Sequence, residues 1–216
     1  MKKIIDLKIF SSVYFAIMMA IISLILIGVF IMNYEKETEV AVISTKYGDM
    51  IVEFYPDVAP MHVESFVALA NEQYFDGTTF HRVIPDFVIQ GGDPNSKLEN
   101  RSLHGTGGRA GKFFGIGDEN DSSTWLIPQE FNSIPHEKGI LSMARTNDPN
   151  SASSQFFVCH GDPSFLDNNY TVFGKVIQGL EVIDSIVNVE KDMNDNPLEK
   201  IEMTVKMAKR SEVIKD

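Results

Sequence analysis

The sequence has little cysteine and few basic residues, and both shortages restrict what the protein can be. Cys159 is the one cysteine among 216 residues, which excludes an intramolecular disulfide and a thiolate-rich zinc site. Of 19 basic and 30 acidic residues, three and one lie in the first 34 positions, so the remainder carries 16 and 29. Such an acidic body does not suit nucleic-acid binding that depends on replacing phosphate counterions. We therefore expect no nucleic-acid partner.

Motifs for covalent, metal-assisted or phosphate chemistry are also missing. None of the five histidines is paired at helical ligand spacing. Cys159 and His160 are adjacent, and neighbours on a strand point to opposite faces, so they do not form a nucleophile–base pair. The glycines of 105–108 are not followed by Lys-Ser/Thr and a helix, as a phosphate loop requires. We expect no metal and no cofactor.

The amino terminus lacks charge over an unusually long stretch. From Ile9 to Tyr34 there are 26 consecutive residues without a charged side chain. About 20 apolar residues in a helix cross the hydrocarbon layer of a membrane. A cleaved signal peptide has a shorter apolar core, followed by a small-x-small site, and no Ala-x-Ala pattern follows Met32. Residues 1–34 are therefore predicted to be a signal anchor with one transmembrane helix.

The lysines at the start of the chain predict its orientation. Lys2, Lys3 and Lys8 should stay on the cytoplasmic side, which places everything after Tyr34 on the outer side. Residues 35–39 form a short polar linker. We expect a single-pass protein of the cell membrane whose soluble domain is extracytoplasmic, on the periplasmic or extracellular side. A secreted form, after signal cleavage, remains the alternative.

The rest of the chain contains many short β-rich runs and two helical patterns. Apolar spacing predicts helices from Pro60 to about Tyr74 and from Gly179 to Val187. Between Asp93 and Pro128 glycine is frequent and periodicity is absent, which predicts a long loop. Many strands with two distant helices favour a mainly β, antiparallel, closed or nearly closed sheet. The predicted strands are 40–45, 49–55, 79–84, 87–91, 139–144, 154–160, 171–176 and 201–207.

Six sequence blocks resemble, in order, those of the cyclophilin-type peptidyl-prolyl isomerases. The longest is Phe80-His-Arg-Val-Ile-Pro-Asp-Phe-Val-Ile-Gln-Gly-Gly-Asp93. The others are Gly105-Thr-Gly-Gly108, Gly139-Ile-Leu-Ser-Met-Ala-Arg145, Ser154-Gln-Phe-Phe-Val158, Phe165-Leu-Asp167 and Val172-Phe-Gly-Lys-Val176.

The resemblance covers most of the soluble part and implies its fold and activity. It implies an isomerase domain over residues 40–209, with a tail at 210–216. The implied fold is a closed eight-stranded antiparallel β-barrel capped by two α-helices. The implied activity is cis–trans isomerisation of X–Pro bonds in unfolded or exported polypeptides, carried out by a monomer. A non-catalytic module that only holds proline-containing peptides, or a membrane-tethered assembly factor, is the alternative.

The resemblance also implies which residues form the site. Arg82 corresponds to the catalytic arginine, and Gln90 is expected to orient it and to meet the substrate backbone. Phe87, Val88, Phe157 and Leu166 correspond to the proline pocket. The remaining substrate-binding positions are Gly105, Thr106, Ala144, Arg145, Gln155, Phe165 and Tyr170, with Gly107 beside them.

Several positions differ from the common pattern of the family. Val88 stands where Met is common, Phe165 where Trp is frequent and Tyr170 where many members have His. The loop 146–152 is one residue longer than in eukaryotic members, as in bacterial ones, and 109–128 is longer than in compact relatives. His81 is expected to face away from Arg82 as a buried, hydrogen-bonded histidine.

Overall fold

The computed structural model describes residues 17–32 and 37–214, and the chain divides into two units. One unit comprises residues 1–39 and 209–216, and the other comprises residues 40–208. In the smaller unit, helix α1 covers residues 17–32, all of them exposed. Residues 9–16, 33 and 34 of the predicted transmembrane segment lie outside the described residues. Within 17–32 and 37–214, no helix has both the length and the apolar character of a membrane span.

The larger unit is built on one sheet of eight strands, as predicted. The strands are β1 Glu39–Thr45, β2 Gly48–Phe54, β3 Arg82–Ile84, β4 Val88–Gly91, β5 Ile140–Met143, β6 Phe156–Cys159, β7 Val172–Gln178 and β8 Met203–Lys209. Their order in the sheet is β3-β4-β6-β5-β7-β2-β1-β8, so sequence neighbours are often spatial neighbours. The first two strands form a hairpin, with Thr45 of β1 paired to Gly48 of β2.

Strand pairing among the described residues leaves β3 and β8 as the edges of the sheet. The segments beside these edges approach each other: Phe80 N–H donates to the carbonyl of Ile201, and Met203 N–H donates to that of Thr78. An isolated bridge pairs Thr79 with Glu202. The observed architecture is thus an open half-barrel, and a ladder that closes it is not seen in the described residues.

Both predicted helices of the larger unit are present. Helix α2 spans Pro60–Asn71 and helix α3 spans Leu180–Val187. Pro60 suits the first turn of α2 because a helix leaves its first N–H groups without an internal partner. The side chain of Glu130 accepts hydrogen bonds from the N–H groups of Met61 and His62 at 3.0 Å. This distant carboxylate therefore serves as the cap of α2. The fourth helix, α4, is short and spans Arg210–Val213.

The core of the larger unit is a cluster of phenylalanine rings between α2 and the sheet. The ring of Phe66 lies 4.9 Å from that of Phe75 and 5.4 Å from that of Phe156, centroid to centroid. Phe156 also meets Phe80 at 6.3 Å, edge to face. Because Phe156 points into this core, its neighbour Phe157 points to the opposite face of β6. That outer face carries the candidate site.

Candidate active site

The register of three strands brings the predicted catalytic residues together. Arg82, the first residue of β3, is paired with Gln90 of β4. Gln90 is in turn paired with Phe157 of β6. Directly paired residues on adjacent strands have their side chains about 5 Å apart on the same face. The antiparallel ladder alone therefore places a cation, an amide and an aromatic ring side by side.

A chain of hydrogen bonds holds the guanidinium of Arg82. Its Nη1 donates to Oε1 of Gln90 at 3.2 Å. Nε2 of Gln90 donates to Oε1 of Gln155 at 3.0 Å, and Nε2 of Gln155 donates to the carbonyl of Gly107 at 2.7 Å. On its other side the guanidinium lies 5.6 Å from the ring centre of Phe87. Two glutamines and one aromatic ring thus orient the charge, as predicted for Gln90.

The charge of Arg82 stands at the edge of a small cavity with both apolar and polar walls, which we call the proline cavity. Its volume is about 130 Å³. Two of its walls, Phe157 and Leu166, are each only 5% exposed. The residues that line it are Arg82, Phe87, Val88, Gln90, Ala144, Arg145, Phe157, Leu166 and Tyr170.

Phe165, another predicted substrate-binding residue, does not line this cavity. Its side chain is 70% exposed, and its ring stacks on that of Phe87 with centroids 5.5 Å apart. It extends the aromatic surface outward from the mouth of the proline cavity. Phe165 therefore lies on the exposed surface next to Phe87 and is not one of the walls of the proline cavity.

The floor of the proline cavity is supported by a buried histidine. The ring of His136 is stacked on that of Phe157 at 6.0 Å. Its two nitrogens are within hydrogen-bonding distance of Asp167, at 2.9 Å, and of Ser142, at 3.1 Å. Burial lowers the pKa of His136, although Asp167 opposes this shift. Sequence reasoning did not identify this support, and the block containing Asp167 was its only signal.

A second, more polar cavity adjoins the proline cavity, and we call the two cavities together the groove. It has a volume of about 320 Å³. Gln90, Ala144 and Arg145 line both cavities, which makes the two halves continuous. The residues that line it are Gln90, Gly105, Thr106, Gly107, Gly108, Leu126, Ala144, Arg145, Thr146, Ser151, Ser153 and Gln155.

The glycine-rich rim of this groove is held by one buried carboxylate, Asp93. Its oxygens accept hydrogen bonds from the N–H groups of Gly105, Gly107 and Asn95. Gly105 has a φ of +86°, and a Cβ at Gly107 would lie 2.6 Å from Oδ1 of Asp93. Sequence analysis predicted the positions of the rim but not its anchor. The signal was available, because Asp followed by Pro and Asn favours a side-chain-capped turn.

The side chain of Arg145, as well as its backbone, makes contacts at the site. Its Nε and Nη2 donate to the carbonyl of Asn169 at 3.1 and 2.8 Å. Its guanidinium lies 4.4 Å from the ring centre of Tyr170. The side chain therefore connects the loop after β5 with the segment that carries Tyr170.

The prediction for His81 was only partly right. The residue is buried, at 5% exposure, but neither ring nitrogen has a hydrogen-bond partner. It also lines the same cavity as Arg82. Because β3 begins only at Arg82, the alternation of a regular strand does not extend back to residue 81. Burial lowers the pKa of His81 to about 4, against the charge of Asp93.

Cys159 is a buried core residue, as predicted. Its side chain is fully buried, and burial raises the pKa of the thiol to about 12. Since the thiolate is the nucleophilic form of cysteine, this group is inert at neutral pH. The site therefore offers no nucleophile from Cys159.

Comparison with known proteins gives one consistent family. Residues 40–207 match the family model described as cyclophilin type peptidyl-prolyl cis-trans isomerase/CLD. The peptidyl-prolyl cis-trans isomerase ppi1 of Schizosaccharomyces pombe is 40% identical over 163 residues, which cover 74% of this chain and 93% of that protein. A probable peptidyl-prolyl cis-trans isomerase of Brucella abortus is 39% identical over 145 residues, covering 67% of this chain and 69% of that protein.

A solved structure agrees with these relatives. The crystal structure of a cyclophilin type peptidyl-prolyl cis-trans isomerase from Cryptosporidium parvum, in the presence of the dipeptide Ala-Pro, has a TM-score of 0.67 to this chain. The two are 29% identical, and the match covers 78% of this chain and 98% of that one.

Proposed function

This chain belongs to the cyclophilin-type peptidyl-prolyl cis–trans isomerases, and on that premise we propose that Arg82 and the proline cavity carry the reaction. The observation that supports this assignment is the position of the Arg82 guanidinium, held by Gln90 at the edge of the proline cavity and beside the apolar side chains of Phe157 and Leu166. An X–Pro bond has cis and trans forms of similar free energy that exchange over tens to hundreds of seconds. The enzyme therefore needs to lower a barrier without breaking a bond.

The barrier arises from amide resonance. It amounts to roughly 18–20 kcal/mol, because the C–N bond has partial double-bond character. When the bond is rotated out of plane, the prolyl nitrogen regains its lone pair and accepts a hydrogen bond that it cannot accept when planar. A donor fixed beside this nitrogen interacts more strongly with the twisted amide than with either planar form, which is the condition for catalysis. We assign this role to Arg82.

The other groove residues position the substrate. Phe157, Leu166, Val88 and Phe87 provide an apolar surface for the pyrrolidine ring. Gln90, Gln155 and the rim at 105–107 offer hydrogen bonds and close backbone approach to the flanking chain. The substrates we propose are proline-containing polypeptides in unfolded form, and the Ala-Pro dipeptide used with the Cryptosporidium parvum relative supports this class.

A direct test replaces Arg82 in the full-length protein. Arg82→Ala should lower turnover of an Ala-Pro peptide by about 100-fold or more, the typical loss when one preorganised donor is removed. Peptide affinity and the free energy of unfolding should change little. Arg82→Lys, which keeps the charge without the fixed fork, should recover only part of the activity. Unchanged turnover in Arg82→Ala would contradict the role of Arg82, whereas binding without turnover in the unaltered protein would indicate a module that merely binds proline-containing peptides.

We further propose that residues 1–34 anchor a monomeric enzyme to the cell membrane, with the domain on the outer side and exported polypeptides as its substrates. The support is the uncharged stretch from Ile9 to Tyr34, with the preceding lysines on the cytoplasmic side. Alkaline carbonate extraction should leave the full-length protein in the membrane pellet. When the outer envelope of the cells is made permeable and the cytoplasmic membrane is left intact, added protease should digest the domain. Release by carbonate would contradict the anchor, and protection from protease would contradict the orientation.

A further inference from the structure

A larger cavity lies on the other side of the Arg82–Gln90 pair, outside the groove described above. Its volume is about 490 Å³, and we call it the His81 cavity. Arg82 and Gln90 form the wall that it shares with the proline cavity, and Gly105 is shared with the polar groove. The residues that line the His81 cavity are His81, Arg82, Gln90, Arg101, Ser102, His104, Gly105, Asp192, Asn194 and Asn196.

His81 is the polar group in this cavity that lacks a partner. A buried polar group without a hydrogen bond costs free energy, so native structures rarely contain one. Yet both nitrogens of the His81 ring are buried, and neither meets the geometry of a hydrogen bond to any of the described residues, although the backbone of Thr79 is near enough to raise the pKa of the ring. A neutral imidazole still carries one N–H donor. By contrast, the ring of His104 is satisfied, through the carbonyl of Leu98 at 2.9 Å and the side chain of Asn196 at 2.9 Å.

The charges around the cavity favour a negatively charged occupant. Asp192 is the one carboxylate among the described lining residues, and its oxygens are already saturated. Oδ2 accepts from Nε and Nη2 of Arg101, and Oδ1 accepts from the N–H groups of Asn194 and Asn196. The negative charge of Asp93 also acts on His81, but the oxygens of Asp93 already accept hydrogen bonds from backbone N–H groups. The guanidinium of Arg101 is likewise engaged, by Asp192 and by the carbonyls of Asn196 and Pro197. Among the described lining residues, the charge of Arg82 is therefore the one that Asp192 does not balance.

We propose that the His81 cavity binds a carboxylate of the substrate polypeptide, on an Asp or Glu next to the X–Pro bond. This inference rests on the proposed function, because it assumes that a proline occupies the proline cavity. With the proline there, the flanking residues lie beside Arg82, Gln90 and Gly105, the residues that border the His81 cavity. A carboxylate in it accepts hydrogen bonds from the His81 N–H and from Arg82, and so provides a partner for the histidine. The chain as a whole is acidic, so this basic cavity selects by local charge.

The test measures isomerisation of matched peptides with the full-length protein by NMR exchange spectroscopy. The pairs are Ala-Glu-Pro-Ala with Ala-Gln-Pro-Ala, and Ala-Ala-Pro-Glu with Ala-Ala-Pro-Gln, each corrected for its uncatalysed rate. Since hydrogen bonds to charged groups are stronger than those to neutral ones, the Glu peptide of at least one pair should have a kcat/KM about fivefold or more above its Gln partner. High salt should reduce this preference.

Variants at the rim provide matched controls. Ser102 is exposed and its Oγ donates to Asn100, so Ser102→Asp adds a negative charge to the cavity without disturbing the core. It should abolish the preference for Glu, while the neutral Ser102→Asn should keep it. Ser123 occupies an equivalent turn, with its Oγ bonded to Asp121, and does not line the cavity. Ser123→Asp adds the same charge there and should also keep the preference.

The outcomes separate this inference from the proposed function. If every peptide is isomerised but Glu and Gln are equal in both pairs, the cavity does not bind a carboxylate and the proposed function stands. If Ser102→Asp and Ser123→Asp reduce the preference equally, the effect comes from overall charge, and the inference is overturned. If no peptide is isomerised, the proposed function fails and the inference falls with it.

Discussion

The two sides of the groove are built in different ways. On one side, Arg82, Gln90 and Phe157 stand on three neighbouring strands whose register is fixed by backbone pairing. On the other side, the rim at 105–107 and the segment at 166–170 are loops. Side chains hold these loops: Asp93 and Gln155 bond to the rim, and Arg145 and His136 bond to the segment. We call these the strand wall and the loop wall.

The difference shows where the protein places rigidity. The strand wall holds the groups that must meet a rotating bond, and a displacement there would require several ladder hydrogen bonds to break together. The loop wall holds the chain that flanks the bond, and its sequence and shape vary more easily because loops tolerate change. We therefore expect a change on the core face of these strands to cost the most stability, and a change on the groove face or in the loop wall to cost mainly substrate binding or turnover.

The sharpest way to test this contrast uses two adjacent residues of β6. Phe156 is fully buried among the aromatic rings of the core, whereas Phe157 faces the proline cavity. Phe156→Ala should lower the free energy of unfolding by about 3–5 kcal/mol, the usual cost of emptying a core position. Phe157→Ala should cost less stability, since one side of its ring borders open space, but should weaken peptide binding more.

Urea unfolding and peptide titration of both variants provide the measurement. The two effects should separate: the larger loss of stability for Phe156→Ala, and the larger loss of affinity for Phe157→Ala. Equal losses of both properties in the two variants would mean that core and cavity are one mechanical unit, and the distinction between the faces of the strand wall would be wrong.

The next effect is a pH dependence of the stability that arises from His81, which lies where the two walls meet. Its folded pKa of about 4 lies below the ordinary value of about 6.5. Between these values the unfolded chain binds more protons than the folded one, so stability rises with pH. The contribution of His81 to the free energy of unfolding is fully present above pH 6.5 and is lost as the pH falls toward 4. A shift of this size corresponds to roughly 3 kcal/mol.

Denaturant unfolding between pH 4 and 7 checks this prediction. His81→Leu, which cannot titrate, should flatten the pH dependence of the free energy of unfolding in this range. The difference in the free energy of unfolding between the two proteins separates the effect of His81 from that of carboxylates that titrate in the same pH range. An identical slope in both proteins would show that residue 81 is not a buried neutral imidazole.

The same two walls explain how much could be read from the sequence. The strand wall was predicted well, because Arg82, Gln90 and Phe157 lie in short β-rich runs with recognisable blocks. Sequence analysis also predicted the eight strands and the two helices of the larger unit. The loop wall was predicted only as a set of positions. Two of its anchors act across gaps of 12 to 24 residues, and no periodicity signals which side chain will bond to which distant backbone.

The failure at His81 has a different cause. Alternation along a strand was applied to residue 81, but β3 begins one residue later. The ring therefore turns into a cavity formed by residues 101–105 and 192–196, segments that are remote in sequence. A cavity between such segments depends on tertiary packing, and a single sequence gives no local signal for it.

The smallest expected effect tests the loop wall alone. Asp93→Asn keeps the size of the side chain but replaces one acceptor oxygen with an N–H₂ group that faces the N–H groups of the rim. Because a buried donor then lacks a partner, the free energy of unfolding should fall by about 1–3 kcal/mol. The rim at 105–107 should move, and kcat/KM on an Ala-Pro peptide should fall by about tenfold, mainly through KM, because Arg82 and Gln90 stay on their ladder.

Asp121→Asn is the matched control for this change. Asp121 also accepts a hydrogen bond from a backbone N–H two residues ahead, that of Ser123 at 3.0 Å, but it is exposed and lines none of the three cavities. Its replacement should leave kcat/KM unchanged. If Asp93→Asn lowers kcat instead of raising KM, the rim must act on the position of Arg82 through the hydrogen bonds from Gln155 to Gly107 and from Gln90 to Gln155. The loop wall would then be part of the catalytic support, and the division between the two walls would have to be redrawn at Gln155.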